Sequence, residues 1–226
     1  MKIYAFIFAR GGSKGIKDKN LVKVKGKPLI YYSIKIAQKI KDIDKIFVSS
    51  DSEKILKYAK KLGVSIIKRP KKISGDSSPE VLAWRHAITY LKKKDLKFDI
   101  FLSLPPTAPL RKIEDVKRVL RSIKEKKVNL VVTAKKSHNS PWFNMIIKNK
   151  KGYFERIINN KNLYKTRQST PRSFDMTTVA YASKPNYILK YSDLMKGNVK
   201  MVEIPEERAV DIDTKFDLSL VRFLKK

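Results

Sequence analysis

Two groups of residues at opposite ends of this sequence could do chemistry together. After an opening apolar run stand Arg10-Gly11-Gly12-Ser13-Lys14-Gly15, followed by Lys19-Asn20. Glycines let backbone N–H groups approach phosphate oxygens closely, and Arg10, Lys14 and Lys19 can neutralise a triphosphate. The spacing fits neither a P-loop nor the G-x-G-x-x-G turn of dinucleotide folds. Near the other end stands Asp211-Ile212-Asp213. Alternate carboxylates on an extended segment reach one ion only where a strand ends, and hard oxygen ligands of this kind suit Mg²⁺ held jointly with substrate phosphates. The competing reading gives Asp213 a capping role beside Thr214 at the start of the last helix.

These residues need a scaffold, and the pattern predicts one. Ile3 to Phe8 reads as a strand buried on both faces. A loop and then a helix follow, with Pro28 in its first turn and Ile30, Ile34, Ala37 and Ile40 at helical spacing. Strands are predicted at 45–49, 64–67, 98–104, 129–133, 176–182 and 199–204. Helices are expected after Ser52 and closed by Gly63, after a Ser78 cap with Pro79 and Glu80 in the first turn, over 113–126, and from Thr214 with Phe216, Leu220 and Leu224 on one side. The alternation implies an α/β fold, a Rossmann-like, mostly parallel sheet with helices on both faces and ligands at the carboxyl ends of the strands. Residues 137–175 break the alternation and are expected to form an excursion, carrying Trp142, Phe143, Tyr153 and Phe154, that covers the site or mates with a second subunit within one 1–226 domain.

The chain has 226 residues, room for one sizeable α/β core. It has no cysteine, which excludes disulfides and thiolate metal sites, and its two histidines, His86 and His138, cannot supply a polyhistidine zinc site. His86 and Trp84 read as structural and His138 as a loop residue. No stretch approaches membrane-spanning length and the first apolar run is too short for a signal peptide, so a cytoplasmic compartment is expected. Lys plus Arg number 52 against 21 Asp plus Glu, a formal charge of +31. That balance invites a nucleic-acid-binding reading, but the lysines are spread over nearly every segment, so no specific nucleic-acid partner is expected and the charge reads as a solvated surface that steers anions.

A resemblance adds to this reading. The strings Ala9-Arg10-Gly11-Gly12-Ser13-Lys14-Gly15, Lys19-Asn20-Leu21, Gly26-Lys27-Pro28-Leu29-Ile30, Val48-Ser49-Ser50-Asp51, Arg69-Pro70, Pro106-Thr107-Ala108-Pro109-Leu110-Arg111 and Asp211-Ile212-Asp213-Thr214 resemble the acylneuraminate (CMP-sialic acid) cytidylyltransferase family, in order and spacing, over essentially the whole chain. The resemblance implies a nucleotide-diphospho-sugar transferase fold and transfer of CMP from CTP to the anomeric hydroxyl of an acidic sugar, with Mg²⁺ and a homodimer formed through the excursion. It places the CTP phosphates at the loop lined by Arg10, Gly11, Gly12, Ser13, Lys14, Lys19 and Asn20, with Lys19 opposite the α-phosphate. Cytosine recognition falls to Arg69 and Asp76-Ser77-Ser78, and the metal to Asp211 and Asp213, which also help activate the sugar hydroxyl. Arg167, Gln168 and Tyr181 lie on the sugar side.

Two departures bear on the acceptor. Many sialic acid enzymes read Leu-Gln-Pro-Thr-Ser-Pro-Leu-Arg where this chain has Leu104-Pro105-Pro106-Thr107-Ala108-Pro109-Leu110-Arg111, and Pro105 offers no side-chain hydrogen bond. The family's Phe-Arg-Pro-Asn-Gly stands here as Phe174-Asp175-Met176-Thr177-Thr178, an arginine lost and an acid gained. An acceptor other than N-acetylneuraminate is therefore expected. An octulosonate or phosphonate acceptor, another nucleotide, or a basic nucleic-acid-binding protein remain the alternatives.

Overall fold

A segment that is apolar on both sides, such as Ile3–Phe8, is stable as a strand only with cover above and below. The computed structural model describes residues 1–13, 15–159, 164 and 166–225. In it this segment is β1, with every residue buried. The chain continues as β2 (Lys23–Val24), β3 (Lys27–Pro28), α1 (Leu29–Gln38), β4 (Lys45–Ser50), α2 (Glu53–Lys61), β5 (Ser65–Lys68), α3 (Glu80–Lys92), β6 (Ile100–Ser103), α4 (Ile113–Ile123), β7 (Leu130–Lys136), β8 (Ile146–Lys148), β9 (Phe154–Arg156), β10 (Phe174–Ser183), α5 (Pro185–Lys190), β11 (Val199–Glu203) and α6 (Lys215–Leu224).

The main sheet has the order β11-β7-β10-β6-β1-β4-β5. Its neighbours are parallel except β10, which is antiparallel to both β6 and β7. One face packs Ile30 and Ile34 of α1, Ile55 and Ala59 of α2, and Val116 and Leu120 of α4 against Ile7, Val48 and Leu102. The other packs Trp84 and Ile88 of α3 and Ile188 of α5 against Phe6, Phe8 and Phe101. This is the mostly parallel sheet with helices on both faces that the sequence implies. Because β1, β4, β5 and β6 run the same way, the loops that leave them gather at one end of the sheet.

Several local expectations need correction. Pro28 stands just before α1, paired in the two-residue ribbon of β2 and β3, rather than in its first turn. Pro79 likewise precedes α3, and Ser78 gives it no cap. Ser52 borders α2 without a side-chain cap bond, while Gly63, at φ 74°, closes that helix as expected. On α6, Leu218 and Val221 are buried against Ile16, Val24, Leu29 and Ile212, and Phe216, on the stripe noted in the sequence, is 76 % exposed. The sequence offers apolar stripes on two sides of this helix. Reciprocal capping between Thr214 and Asp217 fixes its start, and the face that meets the α1 end of the core is the narrower stripe.

Within 137–175, β8 and β9 form a hairpin separate from the main sheet, with Ile146, Ile147, Tyr153 and Phe154 exposed. The last residues of that span already belong to β10, which returns the chain into the sheet between β6 and β7. Among the described residues no helix is long and apolar enough to cross a membrane.

Candidate active site

The loop after β1 and the segment after β11, far apart in sequence, meet at the carboxyl end of the sheet. Ile212 N–H donates to the Thr107 carbonyl at 2.9 Å, which ties the Asp211–Asp213 segment to the loop after β6. Lys19, in a short 3₁₀ turn, places Nζ 2.8 Å from Oδ1 of Asp213. A Cβ built on Gly15 would stand 2.6 Å from the Asp213 carbonyl oxygen, so this glycine is needed for the crossing of two chain segments. Gly11 is likewise close to protein: its N–H donates to Asp51 at 2.9 Å and an added Cβ would lie 3.0 Å from Ser52 Cβ. Of Gly11, Gly12 and Gly15, Gly12 alone faces open space.

The result is a cleft of about 290 Å³ that Arg10, Ser13, Lys19, Asn20, Arg69, Asp76, Ser78, Asp211 and Asp213 all help to line. Most of the residues singled out in the sequence thus converge. Asn20, buried, donates its amide to the Arg10 carbonyl at 2.9 Å and so fixes the shape of the loop. Arg10 is ion-paired with Asp76 across the mouth. Thr214 and Asp217 make the cap of α6 between themselves, which leaves the Asp213 carboxylate to Lys19 and answers the capping alternative.

Other expected site residues are not brought into the cleft. Ser77 is exposed and does not line it. Arg167 and Gln168 lie on an exposed 3₁₀ turn where the Arg167 guanidinium donates to the Ser137 carbonyl at 3.4 Å. Tyr181, on β10, packs its ring 5.7 Å from that of Trp84 below the cleft, and burial raises its hydroxyl pKa, with the Glu80 and Asp211 charges adding to the effect. Lys14 lies outside the described residues.

The residues present fit a divalent ion. Oδ1 of Asp211 is buried and has no hydrogen-bond partner, a costly arrangement for a carboxylate unless a ligand completes it. Asp213 is beside it, and among the described residues no group of three or more His, Asp or Glu gathers anywhere. Two carboxylates completed by phosphate oxygens is the pattern Mg²⁺ accepts.

Three contributors were not assigned from the sequence. Asp51, at the end of β4, holds Gly11 and lies 3.9 Å from Arg69. Arg111 is buried, donating to Ser33 Oγ at 2.8 Å and to the Pro105 carbonyl; burial pulls its pKa down to about 9, against the opposing pull of Asp211 and Asp115. Glu80, in the first turn of α3, lines the cleft and accepts from Trp84 Nε1 at 3.1 Å. Asp51 and Arg111 stood inside matched strings, and Glu80 was read only as a helix-start acid; no local pattern marks a residue whose role arises from strands that meet later.

Comparison with known proteins identifies the family. Residues 4–215 match the family profile described as Cytidylyltransferase. The chain belongs to the cytidylyltransferase family. This cytidylyltransferase is 32% identical over 227 residues to the CMP-N,N'-diacetyllegionaminic acid synthase of Campylobacter jejuni, covering 99% of this chain and 94% of that one. It is 31% identical over 236 residues to the post-translational flagellin modification protein B of Campylobacter coli, covering 100% and 95%. It is also 28% identical over 224 residues to an N-acylneuraminate cytidylyltransferase of Streptococcus agalactiae, of which it spans 52%. Its fold is shared by a CMP:2-keto-3-deoxy-manno-octonic acid synthetase solved with CTP, at TM-score 0.73 and 19% identity over 99% of this chain and 98% of that one. The cytidylyltransferase is thus a nucleotidyltransferase of the acylneuraminate type, as the sequence motifs imply.

Proposed function

We propose that this cytidylyltransferase joins CMP from CTP to the anomeric hydroxyl of an acidic, nonulosonic-type sugar. The hydroxyl oxygen attacks the α-phosphorus in line, the bond from that phosphorus to the β-phosphate bridge breaks, pyrophosphate leaves and the hydroxyl proton passes to solvent. The observation that carries the reading is the meeting of Lys19 with Asp213, next to the unpartnered Asp211 oxygen, inside one cleft. The Lys19 ammonium exchanges Asp213 for the α-phosphate and stabilises the charge that grows there. Arg10 exchanges Asp76 for phosphate oxygens. Asp211 and Asp213 would hold Mg²⁺, which when bound neutralises phosphate charge and orients the reacting groups.

Relatives named for legionaminic, pseudaminic and N-acylneuraminic acids support an acidic acceptor. Pro105 and Asp175, standing where the family carries Gln and Arg, favour an acceptor other than N-acetylneuraminate itself. The chain is proposed to act in the cytoplasm as one 1–226 domain, and as a homodimer joined through the 137–175 excursion. The exposed apolar hairpin supports such pairing, as does the position of Arg167 and Gln168 away from the cleft of their own chain.

Pyrophosphate release measured with ATP, GTP, CTP and UTP across legionaminic, pseudaminic, N-acetylneuraminic and octulosonic acids tests the reading. Release with CTP and at least one nonulosonic acid is expected. Release only with an octulosonate, or with no acid in the panel, would overturn the acceptor class.

A further inference from the structure

Three cationic side chains and four carboxylates line the cleft. Of the cations Arg10, Lys19 and Arg69, the first is paired with Asp76 and the second with Asp213, and the unpartnered Asp211 would hold the divalent ion of the reading above. Glu80 is a further carboxylate open to the same cleft, where it would repel a triphosphate. Its orientation is fixed: Trp84, one helical turn on and 7 % exposed, donates its indole N–H to Oε1 at 3.1 Å. The rest of the carboxylate remains available to a ligand. A carboxylate is an acceptor only, so what it can recognise on a nucleotide is a group that carries N–H or O–H.

Arg69 supplies the opposite half of such a pattern. It is 6 % exposed, yet its Nε and Nη2 have no hydrogen-bond partner, and its one ion pair among the described residues is the loose 3.9 Å approach to Asp51. Buried donors without acceptors point to a ligand that completes them. Arg69 and Glu80 are near enough to feel each other's charge, and Ile73, Pro79 and Ala83 give that end of the cleft apolar walls suited to a flat ring.

A donor beside a fixed acceptor is the complement of a cytosine edge, which offers oxygen and ring-nitrogen acceptors next to an exocyclic amino donor. Uracil presents a carbonyl oxygen where cytosine has that amino group, and it would face the carboxylate lone pair to lone pair. We infer that Glu80 is the residue that discriminates CTP from UTP, by accepting a hydrogen bond from the cytosine amino group while Arg69 donates to the neighbouring acceptors of the ring. The inference rests on the cytidylyltransferase reading above and adds a residue with a specificity role.

The test is equilibrium binding of CTP and of UTP, each with excess Mg²⁺ and without acceptor, to the full chain and to Glu80→Gln and Glu80→Asp. The wild-type chain is expected to prefer CTP. In Glu80→Gln the amide can turn its N–H₂ toward the uracil oxygen, so the CTP-to-UTP affinity ratio should fall on the order of 10- to 100-fold. Glu80→Asp keeps the acceptor and should retain a preference for CTP. Because Glu80 is exposed, its variants should fold, and unchanged thermal midpoints check this. A wild-type preference for CTP that survives unchanged in Glu80→Gln would overturn the inference. A wild-type chain that binds neither nucleotide would instead overturn the cytidylyltransferase reading on which it stands.

Discussion

The ammonium of Lys19 lies 2.8 Å from Oδ1 of Asp213, a residue 194 positions further along the chain. The Lys19 side chain is 15 % exposed and that of Asp213 is 70 % exposed, so the acid is free to give way when phosphate and metal enter. Lys19→Ala should lower turnover by on the order of 10²- to 10³-fold, the usual loss when a group that stabilises transition-state charge is removed. The thermal midpoint should stay within a few degrees, since a surface-edge pair contributes little to folding. Single-turnover rates beside thermal melts separate the two; a fully active variant would remove Lys19 from the mechanism.

The glycines of the first loop should not be interchangeable. Gly15→Ala places a methyl 2.6 Å from a backbone oxygen of Asp213 and must push the two segments apart, so both stability and activity should drop. Gly12→Ala meets nothing within 4 Å and should melt like the wild type. Any activity it loses then reports on phosphate contact alone. Thermal melts and turnover for the two variants side by side decide this.

Beneath the site, Asp115 of α4 is fully buried and receives two hydrogen bonds of 3.0 Å from the Arg208 guanidinium, together with the N–H of Lys112. Removing one partner strands a buried charge. Arg208→Met should destabilise by about 3–5 kcal/mol. At roughly 2–4 °C per kcal/mol for a chain of this size, that is a fall of about 6–20 °C in Tm. Differential scanning calorimetry gives the answer; a Tm within two degrees of wild type would show that the pair is dispensable.

The hairpin of β8 and β9 leaves Ile146 61 % and Phe154 65 % exposed. Ile146→Asp with Phe154→Asp should convert a dimer to a monomer in light scattering coupled to size exclusion, with the sheet's circular dichroism unchanged. A wild-type chain that is monomeric at micromolar concentration would count against the pairing.

The order of the elements and most of the nucleotide loop were legible because both are local: buried parallel strands are continuous apolar runs, and glycines and cations cluster within a few residues. What stayed hidden was decided by tertiary packing. Phe216 and Leu220 form as good a stripe as Leu218 and Val221, and only the neighbouring Val24 and Leu29 decide which is buried. Gly15 looked like a phosphate glycine, but the structure gives it a second duty against Asp213. Glu80 acquired its place from Trp84 and Arg69, which reach it from α3 itself and from the end of β5.

β10 bridges two blocks of the sheet: β6, β1, β4 and β5 lie on one side of it, and β7 and β11 on the other. During synthesis β7 therefore emerges before the strand that will join it to the earlier block, and it must wait while 137–173 is made. Until β10 is made β7 has no neighbour in the sheet, and β11, the last strand, joins its outer edge afterwards. An unpaired β7 edge is open to wrong partners until β10 has been synthesised.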